Sequence, residues 1–212
     1  IIIGTSLAGT PSLYVDGVKV ASTYDVATGA ITPTGALTAG PHAFTYSLTD
    51  VAGNESARSA ALNLVVNNAP VLLDTVLNFG AIIQDAGVPT GAVGSLVSSF
   101  VGGITDADAG AVKGIAITGV ANGTLYYSTN SGTQWTAVSN ASNTNALLLS
   151  SDVATRIYFK PDTGFSGSAS SAVTFRAWDQ ATGSQGTYAS TAVNGNEASF
   201  SSATDTIGEQ VV

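Results

Sequence analysis

Two carboxylates stand two residues apart in Asp106-Ala107-Asp108, and Gly110 follows two residues later. In extended backbone alternate side chains project to the same side, so these carboxylates would present their oxygens together. Glycine then lets the chain turn sharply. Hard oxygen ligands at this spacing suit Ca2+, which gathers about six to eight oxygens at about 2.3–2.6 Å. The same side chains would serve equally as turn caps that accept backbone N–H groups. The spacing alone leaves both readings open.

Other chemistry is poorly provided for. The chain has no cysteine, which excludes disulfides, thiolate nucleophiles and zinc–thiolate sites. His42, the single histidine, follows Gly40-Pro41 and is expected as an exposed turn residue. A Ser-His-Asp triad needs a serine on a strained strand-to-helix elbow, and Gly164-Phe165-Ser166-Gly167 does not fit that pattern. No acidic pair stands out for glycoside hydrolysis, and no phosphate-binding glycine loop is present. A non-catalytic protein is therefore expected.

Six Lys and Arg against fourteen Asp and Glu give a formal net charge of −8. Such a surface cannot neutralise a run of phosphates, so nucleic acid is not an expected partner. An anionic membrane surface is disfavoured for the same reason, and no run of about 18 apolar residues would insert into a bilayer. The acidic balance does suit divalent cations. The chain opens on Ile1-Ile2-Ile3 with no signal peptide in view, and is expected to be a piece of something longer.

These residues need strands and turns to position them, and the composition supplies both. Thr and Val favour strands, while Gly, Asn and Asp favour the turns between them. Ser12–Val15 and Val18–Ala21 flank Asp16-Gly17, a strong hairpin signal. From His42 to Thr49 the chain alternates, with Phe44, Tyr46 and Leu48 on one face. Asn67-Asn68-Ala69-Pro70 reads as a linker, because Pro70 holds its predecessor extended. Strands are predicted beyond it at 71–77, 93–100, 112–120, 123–128, 135–138, 145–149, 155–159, 171–178 and 198–207. The extra length near 139–170 and 180–200 would form loops. Trp135 is predicted to pack inward and Trp178 to be a core or half-buried aromatic, while Tyr126, Tyr127 and Tyr188 are expected to be exposed on strands.

Two resemblances follow from these phrases. Residues 4–66, through Tyr14-Val15-Asp16-Gly17 and Thr49-Asp50-Val51-Ala52-Gly53-Asn54, resemble the bacterial Ig-like repeats of giant surface adhesins, without the first strand or two of such a repeat. That implies a strand donated from upstream or from a neighbour. The phrases GGITDADAGAVKGIAITGVANGTLYYS and VTFRAWDQATGS resemble the cadherin-like repeat of long RTX-type adhesins. The segment from Ser128 to Trp135 resembles a single Asp-box hairpin of sialidase-type propellers, with Asn130 where Asp is usual; a propeller would need the motif repeated.

The resemblance implies an all-β chain of two tandem β-sandwiches: 1–66 Ig-like, 67–70 a linker, 71–212 cadherin-like. It also implies one calcium cluster drawn from Asp106, Asp108, Asn68 and Asp179, with Asp85 a weaker addition. The linker carries Asn-Asn where cadherins place Asp, and the first domain offers no obvious Glu. So low a ligand charge predicts an affinity of ~10⁻⁴ to 10⁻³ M. The implied role is extension and adhesion on a bacterial surface or in a secreted biofilm protein, with Ca2+ stiffening the junction and neighbouring repeats of the same polypeptide as partners. A module binding a glycan or peptide on a host or biofilm surface, and a subunit of an extracellular filament or surface layer, stand as alternatives.

Overall fold

Asp16 and Gly17 both have positive φ, 50° and 81°, as a type I′ turn requires, and the twist of that turn matches the strands it joins. It links β1 (Thr10–Val15) to β2 (Val18–Val20), with Leu13 opposite Val20 and Val15 opposite Val18. The computed structural model describes residues 1–212. The chain is all-β, with several sheets, antiparallel except where Leu77–Asn78 pairs with Asp205–Val211, consistent with β-sandwich architecture, and a single 3-10 turn, Val97–Phe100. It divides into two units, Ile1–Val66 and Asn67–Val212.

The first unit continues with β3 (Ser22–Asp25), β4 (Ala30–Pro33), β5 (Gly40–Thr49) and β6 (Leu62–Val66). One sheet runs β2-β1-β5-β6, and β3 and β4 form a separate hairpin to which Ile2 adds a bridge at Ala30. Leu13, Val15, Ile31 and Phe44 are its buried core. Of the row expected to face inward on β5, only Phe44 is fully buried; Tyr46 and Leu48 are half-buried. The opposite face is covered as well. The chain returns along β5, where the Ser56 and Ser59 amides donate to the Leu48 and Tyr46 carbonyls, both at 2.8 Å. This return buries Tyr14 and Ser47, whose hydroxyls both donate to Glu55.

The second unit holds β7 (Val71–Leu72), β8 (Leu77–Asn78), β9 (Ser95–Leu96), β10 (Ile104–Thr105), β11 (Gly114–Val120) and β12 (Gly123–Ser128). It continues with β13 (Thr136–Ala137), β14 (Ala146–Ser150), β15 (Arg156–Pro161), β16 (Gly167–Trp178), β17 (Tyr188–Ala189) and β18 (Asp205–Val211). A six-stranded sheet, β17-β14-β11-β16-β18-β8, and a four-stranded sheet, β13-β12-β15-β9, share one apolar interior. Ile115, Ile117, Phe175 and Ile207 fill it from the first sheet, and Leu125, Ile157 and Phe159 from the second.

Side chains alternate across the six-stranded sheet, so the outer face of the same strands carries Ala116, Ala146, Leu148 and Trp178. These residues form a second small core with Phe200. Trp178 is 1% exposed and donates its indole N–H to the Thr182 carbonyl at 2.8 Å. The stretch 180–200 is therefore a cover over Trp178 rather than a free loop, and within 139–170 the predicted strands 145–149 and 155–159 stand as β14 and β15, shifted by a residue or two. Several predicted strands shrink. The 71–77 run keeps two two-residue pieces, 93–100 becomes β9 and the 3-10 turn, and the last strand is Asp205–Val211.

Candidate functional site

Two of the strands just described end where the second unit begins. Asp106 and Asp108 follow β10, Asp179 follows the last residue of β16, and Asn67 and Asn68 begin the unit. The Asn68 backbone N–H donates to Asp108 Oδ2 at 2.9 Å, and its Nδ2 reaches Asp108 Oδ1 at a longer 3.4 Å. Asn67 Nδ2 donates to Asp179 Oδ2 at 2.8 Å. The Asp108 N–H donates to Asp106 Oδ1 at 2.9 Å, and the Ala69 N–H to the Asn196 carbonyl at 2.6 Å. Residues 67–69 are thus bonded into the second unit rather than spanning freely ahead of it.

Asp106 is the odd member. Its Oδ2 is buried and has no hydrogen-bond partner. Desolvation raises its pKa above the ordinary carboxylate value, and the charges of Asp108 and Asp179 push it further the same way. Both effects penalise the ionised form. Asx capping explains the other acidic turns well: Asp152 accepts from Ala154 N, Thr155 N and two hydroxyls, and Asp50 from Ala52 N and Asn54. It explains Oδ1 of Asp106 and leaves Oδ2 without a donor. An orphaned, buried oxygen beside two further carboxylates fits a hard cation. As they stand, no three His, Cys, Asp or Glu side chains converge as a finished metal cage.

Of the expected ligands, Asn68 is bonded to Asp108 and Asp108 to Asp106, while Asp179 is held by the neighbouring Asn67. Asp85 is bonded elsewhere. It accepts the Gly164 N–H at 2.8 Å, three residues before β16 starts, whereas Asp179 follows its end. Twelve extended residues hold those two places about 35–40 Å apart. Asn67, which holds Asp179, was missed because only its neighbour occupies the position matched to cadherin linkers.

Three further expectations are corrected. His42 is buried at 9% exposure, with Nδ1 donating to Asp16 Oδ2 at 2.6 Å and Nε2 to the Thr38 carbonyl at 2.7 Å. Only an imidazolium can donate from both nitrogens. Trp135 is half-buried rather than in the core: it meets Tyr158 edge-on at 6.2 Å and donates to the Gly91 carbonyl at 3.0 Å. Tyr127 and Tyr188 pack against the main core and do not form an exposed aromatic surface.

No protein-family model and no curated protein matches this chain.

Proposed function

We propose that the chain is a non-catalytic, extending segment of a large bacterial surface or secreted adhesin, and that the pole formed by Asn67, Asn68, Asp106, Asp108 and Asp179 takes a calcium ion. The reading rests on one observation above the others: a buried Asp106 oxygen without a donor stands beside two more carboxylates and the two asparagines that open the unit. Asp106, Asp108 and Asp179 would supply the charge. Rotating the Asn67 and Asn68 amides by half a turn would present Oδ1 where Nδ2 now donates. The ion would then fix residues 67–68 to the β10 and β16 ends, because bound metal stabilises the state that presents its ligands. Family resemblance supplies the bacterial surface setting, and neighbouring repeats are the proposed partners.

The test is a calcium titration followed by melting temperature, with magnesium as control. For a site with a Kd of ~10⁻³ M, ~10 mM calcium should add roughly 1.4 kcal/mol, a rise of about 3–6 °C in a unit of this size. Magnesium, which demands a tighter octahedron, should do less. An unchanged melting temperature in ~10 mM calcium defeats the reading.

A second reading, strand addition by a neighbouring chain in a filament, is favoured by β6. It pairs only with β5, and Leu62, Leu64 and Val65 along it are 45%, 43% and 75% exposed. An exposed apolar edge is a template for another strand. Sedimentation that stays monomeric at high protein concentration removes this reading.

A further inference from the structure

On β18 the core-facing positions are Asp205, Ile207, Glu209 and Val211, with Gln210 pointing to solvent between the last two. Glu209 is 4% exposed and sits where strand alternation asks for an apolar side chain. Its Oε1 accepts the Gln210 N–H at 2.9 Å, and Oε2 accepts from no protein group. No Lys or Arg pairs with it: the single ion pair in the chain is His42 with Asp16.

The carboxylate borders a cavity of about 290 Å³, at the small end of ligand sites. The cavity lies where the edges of the two sheets face each other. Phe79 and Ile82 wall it on the β8 side, and Ile157 and Phe159 on the side of β15. The Phe79 and Phe159 rings are stacked at 6.2 Å. Gly94, on the rim, has φ 68° and its backbone lies so close to the Ile157 carbonyl that a Cβ would approach to 2.4 Å.

We propose that this cavity binds a small primary ammonium carrying a short aliphatic tail. An anion would be repelled by Glu209. A neutral apolar guest would shut Oε2 of Glu209 away from water without giving it a donor, which is costly. An ammonium supplies both the opposite charge and the N–H groups that Oε2 lacks, and its short tail lies against the apolar rim.

The groups around Glu209 leave it to act alone. Ala169 pairs with it from β16, and Phe79 follows β8 on the other side. Gly94, just before β9, and Ser95 on it line the cavity with Glu209, and Arg156 makes no ion pair with it: its Nη1 donates to the Val93 and Gly94 carbonyls, and its buried Nε has no partner. Tyr158 is the other titratable wall residue, its hydroxyl donating to the Gly87 carbonyl. Burial raises the Glu209 pKa to about 7. Since the ammonium stays charged over this range, binding should strengthen as pH rises through 7.

The experiment titrates n-butylammonium chloride into the whole chain at pH 8, following amide shifts of Phe79, Ile82 and Glu209. The expected result is a saturable Kd on the order of 1–10 mM, within reach of about five non-hydrogen atoms. Glu209→Gln should weaken it at least tenfold, and n-butanol should bind the native chain far more weakly. A lysine peptide, Nα-acetyl-lysine methylamide, distinguishes the source: binding equal to butylammonium assigns the ammonium to a protein side chain, and weaker binding assigns a free amine. In the native chain the Kd should rise by about tenfold per pH unit below 7, a readout independent of whether the variant folds. Absence of saturation, equal binding of butanol, an unaffected Glu209→Gln variant, or a Kd indifferent to pH would each overturn the proposal.

Discussion

Asn67 Nδ2 lies 2.8 Å from Asp179 Oδ2, and the two residues are 112 positions apart. Asp179 is 7% exposed and also accepts the Ala181 N–H at 2.8 Å through Oδ1. A buried carboxylate is stable only when its oxygens are met by donors. The first residue of the second unit thus satisfies a charge at the end of its longest strand, β16. Asp106 receives no such donor at Oδ2, and this asymmetry sets up the first prediction.

The Asp106→Asn variant should separate the electrostatic cost of the pole from its proposed ligand role. Its pKa is raised, chiefly by desolvation. A raised carboxylate contributes stability below its unfolded value of 3.8, and that contribution is lost as pH rises through the folded value. At neutral pH without calcium, Asn removes the penalty and keeps Oδ1 for the Asp108 N–H. Its melting temperature in a chelator should therefore equal or exceed that of the native chain, and the calcium increment should vanish. A variant that melts lower in chelator and still responds fully to calcium would contradict both halves of the argument.

His42 and Asp16 should titrate against each other. The hydrogen bond that His42 donates to Asp16, then the one to the Thr38 carbonyl, raises the histidine pKa above 6.5. The Ala43 N–H and then His42 lower that of Asp16 below 3.8. The signs define a window. The histidine contribution is complete below 6.5 and lost as pH rises through its elevated folded value, while that of Asp16 is present above 3.8 and lost as pH falls through its depressed one. The β1–β2 turn should be best protected between those limits. Following the His42 ring protons by NMR should give a pKa above the ordinary value that falls back in Asp16→Asn. A native value at or below 6.5 would show that the imidazolium is not the form held there.

What could be read in the sequence follows the range of the interactions. The Asp16-Gly17 hairpin and strand 123–128 are local matters of turn chemistry and alternation, and both stand as read. Asp106 and Asp108 were visible because their spacing is local, whereas the bond from Asn68 to Asp108, 40 residues apart, is set by the fold. His42 was not legible because its carboxylate partner Asp16, 26 residues away, is brought to it by the β1–β5 pairing. Glu209 escaped because the last strand was ended at 207; carried on to Val211, the same alternation puts it in phase with Ile207 and Val211. Trp178 lies on an apolar strand as expected, but its face could not be assigned without the cover at 180–200.

Two glycines of the second unit should differ sharply when changed to alanine. Both have positive φ, 67° at Gly91 and 86° at Gly132. A Cβ at Gly91 meets nothing within 4 Å, whereas at Gly132 it would stand 2.1 Å from the Gly91 carbonyl oxygen. That carbonyl also accepts the Trp135 indole N–H. Gly91→Ala should cost about 1 kcal/mol, the left-handed backbone penalty alone. Gly132→Ala should cost roughly 3 kcal/mol or more, because backbone must move aside. Both tryptophans, Trp135 and Trp178, belong to this unit, so their fluorescence in urea reports its midpoint. Equal midpoints for the two variants would mean the contact across 91–132 is not made.

Glu209 predicts how the second unit should answer to pH without any ligand. Burial raises its pKa from 4.5 to about 7. The folded state therefore binds a proton that the unfolded state has already released, so stability is greatest below 4.5 and declines as pH rises to about 7. Above that the contribution is gone. One pKa unit is worth about 1.36 kcal/mol, which makes the whole swing roughly 3 kcal/mol. Glu209→Gln keeps the shape and an acceptor for the Gln210 N–H, but carries no charge to bury. The two proteins should melt together near pH 4.5, and at pH 8 the variant should melt roughly 5–10 °C higher by tryptophan fluorescence. Other groups titrate identically in both, so the difference isolates this carboxyl. Parallel curves from pH 4 to 8 would show that Glu209 finds a compensating partner in solution, and that it does not stand alone against the cavity.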